Sequence, residues 1–136
     1  MCFLIGAFTE QDFCSFCDID GILAFHHPES QEGQSAADWL GGTYEEKPQS
    51  WIDASPLSHA GSETPPILFV NSQHIRFHAG REDFLNKIKP FGVYSEVYTI
   101  PDTPHTFWLF DPWFQPVVDK TVSFLNKVFK YDGKGI

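Results

Sequence analysis

Three apolar runs along the chain predict three buried β-strands. The first, FCSFCDID at residues 13–20, ends at the turn signal Asp20-Gly21 and is typical of a short buried strand. The second, ILFV at residues 67–70, has no polar alternation, which indicates a strand buried on both faces, as in a parallel sheet. The third, VYSEVYTI at residues 93–100, is rich in β-branched and aromatic residues.

The region between the first two strands predicts little regular structure. SAADWL, residues 35–40, predicts a short helix that ends at Gly41-Gly42. Residues 43–66 carry prolines at four positions and predict a long irregular connection. Connections of that length inside a compact domain are usually functional or cover an edge.

Two later segments have helical spacing. GREDFLNKIKPFG, residues 80–92, follows the second strand, and PWFQPVVDKTVSFLNKVFK, residues 112–130, predicts an amphipathic C-terminal helix with prolines in or before its first turn. The residues expected to face the core are Phe84, Leu85 and Ile88 in the first helix and Phe114, Val117, Val118, Leu125, Val128 and Phe129 in the second.

This order of elements predicts the α/β class with a mostly parallel sheet and flanking helices. We expect one domain over residues 1–136, with an atypical N-terminal segment at 1–12 and a tail at 131–136. Functional loops of such sheets lie at the carboxyl ends of the strands. His105 follows the last strand, in TIPDTPHTFWLF, and is therefore a candidate functional residue.

Composition and charge narrow the function. Apolar residues make up 42% and aromatic residues 16% of the 136, enough for a real core. Nine Lys and Arg stand against 18 Asp and Glu, a formal charge of −9, which argues against a nucleic-acid partner. No apolar run reaches membrane-spanning length, so we expect no membrane partner.

The cysteines do not predict a metal site. Cys2, Cys14 and Cys17 are an odd number, which favours a reducing compartment over a disulfide framework. Cys14 and Cys17 form a C-x-x-C, but a structural zinc site usually has a second pair, and residues three apart in a strand point to opposite faces. We expect buried free thiols, no metal and no cofactor.

Three strings carry a resemblance to a known family. ASPLSH at 54–59, PPILFV at 65–70 and YSEVYTIPDTPHTFW at 94–108 resemble the second half of an α/β-hydrolase. The likeness extends over residues 13–130 and is to the esterase/lipase branch that includes carbohydrate and acetyl-xylan-type esterases. It implies a partial α/β-hydrolase fold and hydrolysis of a carboxyl ester, with a small ester or a carbohydrate ester as substrate. His105 would be the acid/base of a Ser-His-acid triad.

Proteins of this branch are sometimes labelled xylanases. Nothing in the sequence resembles the paired carboxylates of a glycosidase.

The sequence departs from the family at the nucleophile. The family places its serine in G-x-S-x-G after a buried strand, and this sequence has no such motif. Ser35, in GQSAA, follows the polar HHPESQE and is better explained by a helix start. We therefore expect a chain without the half that bears the nucleophile, and inactive alone. The alternative function is that of a truncated or degenerate non-catalytic half that folds, dimerises or binds.

The acid of the triad is the second departure. The family usually carries it shortly after the strand that corresponds to ILFV, but NSQHIRFHAG, residues 71–80, contains no carboxylate. Glu82 and Asp83 come next, at the start of a predicted helix where the helix dipole favours acids, and Asp83 is one candidate. Asp20, at the end of the preceding strand, is the other candidate, and Asp102 is expected to shape the Pro-Asp turn.

Further side chains are candidates for substrate binding. Arg76 and His78 could contribute to an anion subsite, and Trp108 to an aromatic platform for a sugar. The competing interpretation for Arg76 and His78 is ordinary loop polarity. For the aromatic group it is packing in the core or at an interface. This group consists of Phe107, Trp108, Phe110, Trp113 and Phe114.

A parallel sheet without its other half exposes the edge of its first strand. Either the N-terminal segment MCFLIGAFTEQDF or a second copy of the chain could cover that edge. We expect the second copy, and thus a homodimer. The apolar start MCFLIGAF lacks a basic n-region, so it is a poor signal peptide. We therefore expect a cytoplasmic chain, whereas a parent protein could be secreted or periplasmic.

Overall fold

The computed structural model describes residues 15–130. The predicted N-terminal segment, the predicted tail, Cys2 and Cys14 lie outside the described residues. Within them, three strands, β1 (Phe16–Ile19), β2 (Ile67–Asn71) and β3 (Ser95–Thr99), form one parallel sheet in the order β1-β2-β3. The predicted α/β class with a parallel sheet is confirmed.

The register of the sheet aligns the ends of the strands. Ile19 is paired with Val70, and Asn71 is paired with Thr99. Because all three strands run in the same direction, the residues that follow them emerge at one edge. β2 is completely buried, as its unbroken apolar sequence predicts.

The described residues form two compact units. The first contains residues 15–20, 65–73 and 94–130, and the second contains residues 21–64 and 74–93. The sheet and the C-terminal helix α5 (Phe114–Val128) belong to the first unit. The core of this unit contains Cys17, Ile19, Leu68, Val70, Ile100, Phe107, Val117 and Phe124.

The buried face of α5 differs from the predicted one. Val117 and Phe124 are buried, whereas Phe114, expected in the core, is 49% exposed. Val117, Phe124 and the partly buried Val128 follow one another at seven and four residues, which is a single helical stripe. Phe114 lies three residues before Val117, on the same side of the helix, but it is the first residue of α5 and is exposed. The prediction was therefore wrong at Phe114, and it missed Phe124.

A network of charged side chains joins β3 to α5. Glu96 accepts hydrogen bonds from Lys120 Nζ at 2.6 Å, from Lys127 Nζ at 2.9 Å and from the hydroxyl of Tyr94. These donors, Lys120 above all, lower the pKa of Glu96 to about 2. The network ties together the two elements on either side of the loop that carries His105.

The second unit is helical. Its helices are α1 (Gln34–Leu40), α2 (Pro48–Ala54), α3 (Pro56–His59) and α4 (Arg81–Ile88), with short 3₁₀ turns at Ile75–His78 and Lys89–Phe91. The prediction of an irregular connection over residues 43–66 was wrong, because α2 and α3 lie there. Both α2 and α3 begin with a proline. Proline suits the first helical position because a backbone N–H there would have no partner within the helix, so its lack costs nothing.

The core of the second unit is small and aromatic. Ala36, Ala37 and Trp51 are buried, with Phe25, Leu40 and Tyr44 packed against them. Gly80, just before α4, has a φ of +81°, and a Cβ there would lie 2.9 Å from the Cβ of Ala24. No helix among residues 15–130 is long and apolar enough to cross a membrane.

Candidate active site

Asp20 lies directly after β1 in a sparsely populated backbone conformation. Its φ of +49° is in the left-handed region, which Asp tolerates better than most residues. The backbone N–H of Asp20 donates to Val70 O at 2.9 Å, which continues the pairing of the sheet by one step. The side chain is completely shielded from solvent. Sheet and turn together therefore fix the carboxylate at the carboxyl edge of the sheet.

Both oxygens of this carboxylate have partners. Oδ1 accepts a hydrogen bond from the backbone N–H of Ser72 at 2.7 Å, and Oδ2 lies 3.1 Å from His105 Nδ1. A buried carboxylate is costly without such partners. The three residues follow β1, β2 and β3, so the parallel sheet gathers them from positions as far as 85 residues apart.

His105 is held on its inner side and open on its outer side. Its side chain is 35% exposed, and Trp108 packs against it edge-on with ring centroids 5.4 Å apart. Trp108 in turn packs against Phe107, which is completely buried in the core of this unit. The aromatic group is thus divided, because Phe107 is core while Phe110 and Phe114 are exposed.

A buried carboxylate that is hydrogen-bonded to Nδ1 of a partly exposed imidazole can prepare the ring to accept a proton. The carboxylate favours the neutral tautomer with its proton on Nδ1, which leaves the lone pair on Nε2. Such a ring can accept a proton from a substrate or nucleophile at Nε2.

The other candidate acid, Asp83, has a different partner. It lies in the first turn of α4, in the second unit, with its side chain 61% exposed and 3.2 Å from His27 Nε2. The structure pairs Asp20 with His105 within the first unit and Asp83 with His27 within the second. The position of Asp102 fits a turn, since its φ is +56° and its side chain is exposed.

Arg76 and His78, two of the predicted substrate-binding residues, belong to the second unit. Arg76 donates to Glu32 at 3.2 Å and lies over the ring of Phe77, so its guanidinium already has a carboxylate. His78 is buried. A role for either residue in substrate binding stays a prediction.

The remaining candidates for chemistry occupy ordinary positions. Ser35 is an exposed residue in the first turn of α1. Cys17 is buried in the core with its sulfur 3.7 Å from the hydroxyl of Thr121, and burial raises the pKa of its thiol. Within residues 15–130, no group of three or more His, Cys, Asp or Glu side chains could hold a metal ion.

Sequence reasoning missed two residues of this region. Ser72 orients Asp20 through its backbone N–H, and the side chain of Gln73 is hydrogen-bonded to Thr103, two residues before His105. A backbone donor leaves no signal in residue type. The only available signal for Gln73 was its place directly after a buried strand.

The fold corresponds to part of a known architecture. Three parallel strands with flanking helices are consistent with a partial α/β-hydrolase fold. The structure is similar to that of the esterase Est2 from the planctomycete Thermogutta terrifontis, with a TM-score of 0.58 and 18% sequence identity. Its butyrate-bound form gives a TM-score of 0.60 and 17% identity.

The match is one-sided in length. The match to the native esterase covers 90% of this chain but 44% of the esterase chain. The match to the butyrate-bound form covers 89% of this chain and 45% of the esterase chain. This chain therefore spans less than half the length of the esterase that it matches. No family model matches the sequence, and no curated protein matches it. The likeness is thus one of fold.

Proposed function

We propose that this chain carries the acid and the base of an ester-hydrolase triad, Asp20 and His105. The observation that supports this most strongly is the 3.1 Å contact between a fully buried carboxylate and a partly exposed imidazole. The position of the pair at the carboxyl edge of a parallel sheet, in a fold similar to that of an esterase, supports hydrolysis of a carboxyl ester.

The proposed chemistry follows from the orientation of the ring. Asp20 holds the proton on Nδ1, so Nε2 can take the proton of an attacking hydroxyl as it bonds to the ester carbonyl carbon. His105 then carries both protons, and Asp20 stabilises the resulting imidazolium. The ring returns the proton to the alkoxide as the C–O bond breaks, and water repeats the cycle on the acyl intermediate.

The nucleophile decides between this function and its alternative. A hydroxyl has to come within about 3 Å of Nε2 to be activated, and the sequence contains no G-x-S-x-G. This absence favours the alternative, in which the chain is a hydrolase half that keeps the Asp20–His105 pair and binds without turnover. The predicted homodimer belongs to the same alternative.

Hydrolysis of an activated acetyl ester, p-nitrophenyl acetate, distinguishes a hydrolase from a non-catalytic hydrolase half. If the chain is a hydrolase, His105→Ala and Asp20→Asn should each lower kcat/KM by about 10²- to 10⁴-fold, the usual contribution of acid–base catalysis. If wild type and His105→Ala hydrolyse the ester equally slowly, the chain has no working histidine-dependent site and the alternative is correct.

The structure supplies a matched control. His27 and Asp83 form a second histidine–carboxylate pair at 3.2 Å, but its carboxylate is exposed. His27→Ala and Asp83→Asn should leave kcat/KM within about twofold of wild type, because an exposed pair contributes little. A loss with Asp83→Asn and none with Asp20→Asn would assign the acid to Asp83 instead.

The finer proposal concerns the substrate. Trp108 beside His105 supports an ester attached to a polysaccharide, because aromatic side chains can pack against sugar rings. Acetate released from acetylated xylan by wild type, and lost in His105→Ala, would support this substrate. Activity on p-nitrophenyl acetate without activity on acetylated xylan would leave only the simple ester.

A further inference from the structure

The loop that carries His105 is tied to the end of β2 by one side chain. Gln73 Oε1 accepts hydrogen bonds from the backbone N–H of Thr103 at 3.1 Å and from its hydroxyl at 3.2 Å, and Gln73 Nε2 donates to Thr103 O at 3.3 Å. The carboxamide thus serves both the donor and the acceptor of one backbone residue. Thr103 is buried, so these backbone groups need partners from the protein.

The arrangement extends the sheet beyond its last regular pair. Regular pairing of β2 with β3 ends at Asn71 and Thr99, and the N–H of Ile100 still donates to Asn71 O at 2.9 Å. Past that point, the side-chain amide of Gln73 makes the hydrogen bonds to Thr103 that a peptide unit of a paired strand would have made. Glutamine suits this place because its terminal group has both an acceptor oxygen and a donor nitrogen.

Ser72 and Gln73 are therefore neighbours that each contact one side of the Asp20–His105 pair. The N–H of Ser72 fixes Asp20 Oδ1, and the side chain of Gln73 fixes the backbone two residues before His105. In the family that the sequence resembles, the loop after this strand usually carries the acid. In this chain the carboxylate that contacts His105 comes from the end of β1, and the residues after β2 contact both Asp20 and the loop of His105.

We propose that Gln73 is a positioning residue, whose amide holds the loop of His105 so that Nδ1 faces Asp20. This inference rests on the proposed function of the Asp20–His105 pair. Gln73 acts through Thr103 and not on a substrate. Supporting residues of this kind are required because a pair displaced by a fraction of an ångström loses its hydrogen bond.

The test measures the tautomer of His105, which a purely structural role of Gln73 would not change. In the full chain labelled with ¹⁵N, the ring nitrogens of His105, assigned by their loss in His105→Asn, report which nitrogen carries the proton. Above the pH at which both nitrogens are protonated, we expect the wild-type ring to be mainly Nδ1–H. Free histidine prefers Nε2–H, so this preference is a signature of Asp20.

Gln73→Met keeps the length of the side chain and removes its three hydrogen bonds to Thr103. We expect it to change the Nδ1–H to Nε2–H ratio at least threefold towards Nε2–H, while the amide spectrum of the rest of the chain stays native. Gln115→Met is the matched control, because Gln115 bonds only to Asp119 on the surface of α5 among the described contacts. It should leave the ratio unchanged.

A second variant covers the case in which Gln73→Met does not fold. Gln73→Glu keeps the acceptor for the Thr103 N–H and loses only the donor to Thr103 O, so its ratio should fall between those of wild type and Gln73→Met. A folded Gln73 variant with the wild-type ratio would overturn the positioning role alone. A wild-type ring that is mainly Nε2–H would overturn the Asp20–His105 pairing, and with it the proposed function.

Discussion

Replacing Glu96 by Gln removes the charge at the centre of the network that joins β3 to α5. The carboxylate accepts hydrogen bonds from Lys120 at 2.6 Å and from Lys127 at 2.9 Å, and its pKa falls from the ordinary 4.5 to about 2. Without solvent screening, this difference would correspond to about 3 kcal/mol of stability at neutral pH. The side chains of Lys120 and Lys127 are 26% and 52% exposed, so screening reduces the expected contribution to about 1 kcal/mol.

The sign of the pH dependence follows from the direction of the change. The pKa of Glu96 is lower in the folded protein, so its contribution is complete above the ordinary value of 4.5. It is lost as the pH falls through about 2, because the folded carboxyl then takes up a proton and its charge no longer attracts the lysines. Gln at position 96 has no charge to lose. The difference between wild type and variant should therefore shrink between pH 4.5 and about 2.

Urea denaturation at a series of pH values measures this difference. Above the ordinary pKa, Glu96→Gln should be less stable than wild type by about 1 kcal/mol, with the slope of free energy against urea unchanged. Glu82→Gln is the control, because Glu82 is exposed and pairs with the adjacent Arg81. A destabilisation of Glu96→Gln that stays constant down to pH 2 would refute the reasoning, since the cause would then be packing and not charge.

Two further stability predictions concern backbone conformation and packing. Gly80→Ala should destabilise the chain by more than about 1 kcal/mol, because φ is +81° and the new Cβ would meet Ala24. Gly33→Ala is the control and should cost clearly less, because a Cβ there meets nothing within 4 Å. Equal urea midpoints for the two variants would contradict the assignment of strain. Phe124→Ala should cost about 3–5 kcal/mol, because Phe124 is completely buried, and a loss below about 1 kcal/mol in the same assay would show that the side chain is not core.

The carboxylate partner of His105 could not be predicted from local sequence pattern alone. Asp20 ends a predicted strand and Asp83 lies in the first turn of a predicted helix, so both were candidates. The choice depends on a contact between residues 85 positions apart, which sequence spacing does not encode. Asp83, in the first turn of α4, faces His27 instead. The pairing is a property of the sheet order, since β1 and β3 each lie beside β2.

Local pattern was also insufficient for the segment at residues 43–66. Its four prolines favour irregular structure, yet Pro48 and Pro56 begin helices. A proline ends a helix when it lies in the interior but suits the first turn, so its meaning depends on where the helix starts. Phe124 was missed for a similar reason, because several apolar stripes are compatible with α5 and packing selects one of them.

The apolar pattern of the sequence is sufficient to predict the three strands, the α/β class and the place of His105 after the last strand. Unbroken apolar runs must be buried, and a histidine after the last strand of a parallel sheet must lie at its carboxyl edge. The contacts of Asp20 with His105, of Ser72 with Asp20 and of Gln73 with Thr103 appear only in the folded chain. These are single contacts of about 3 Å between distant residues, and they exist only when three parallel strands end at one edge.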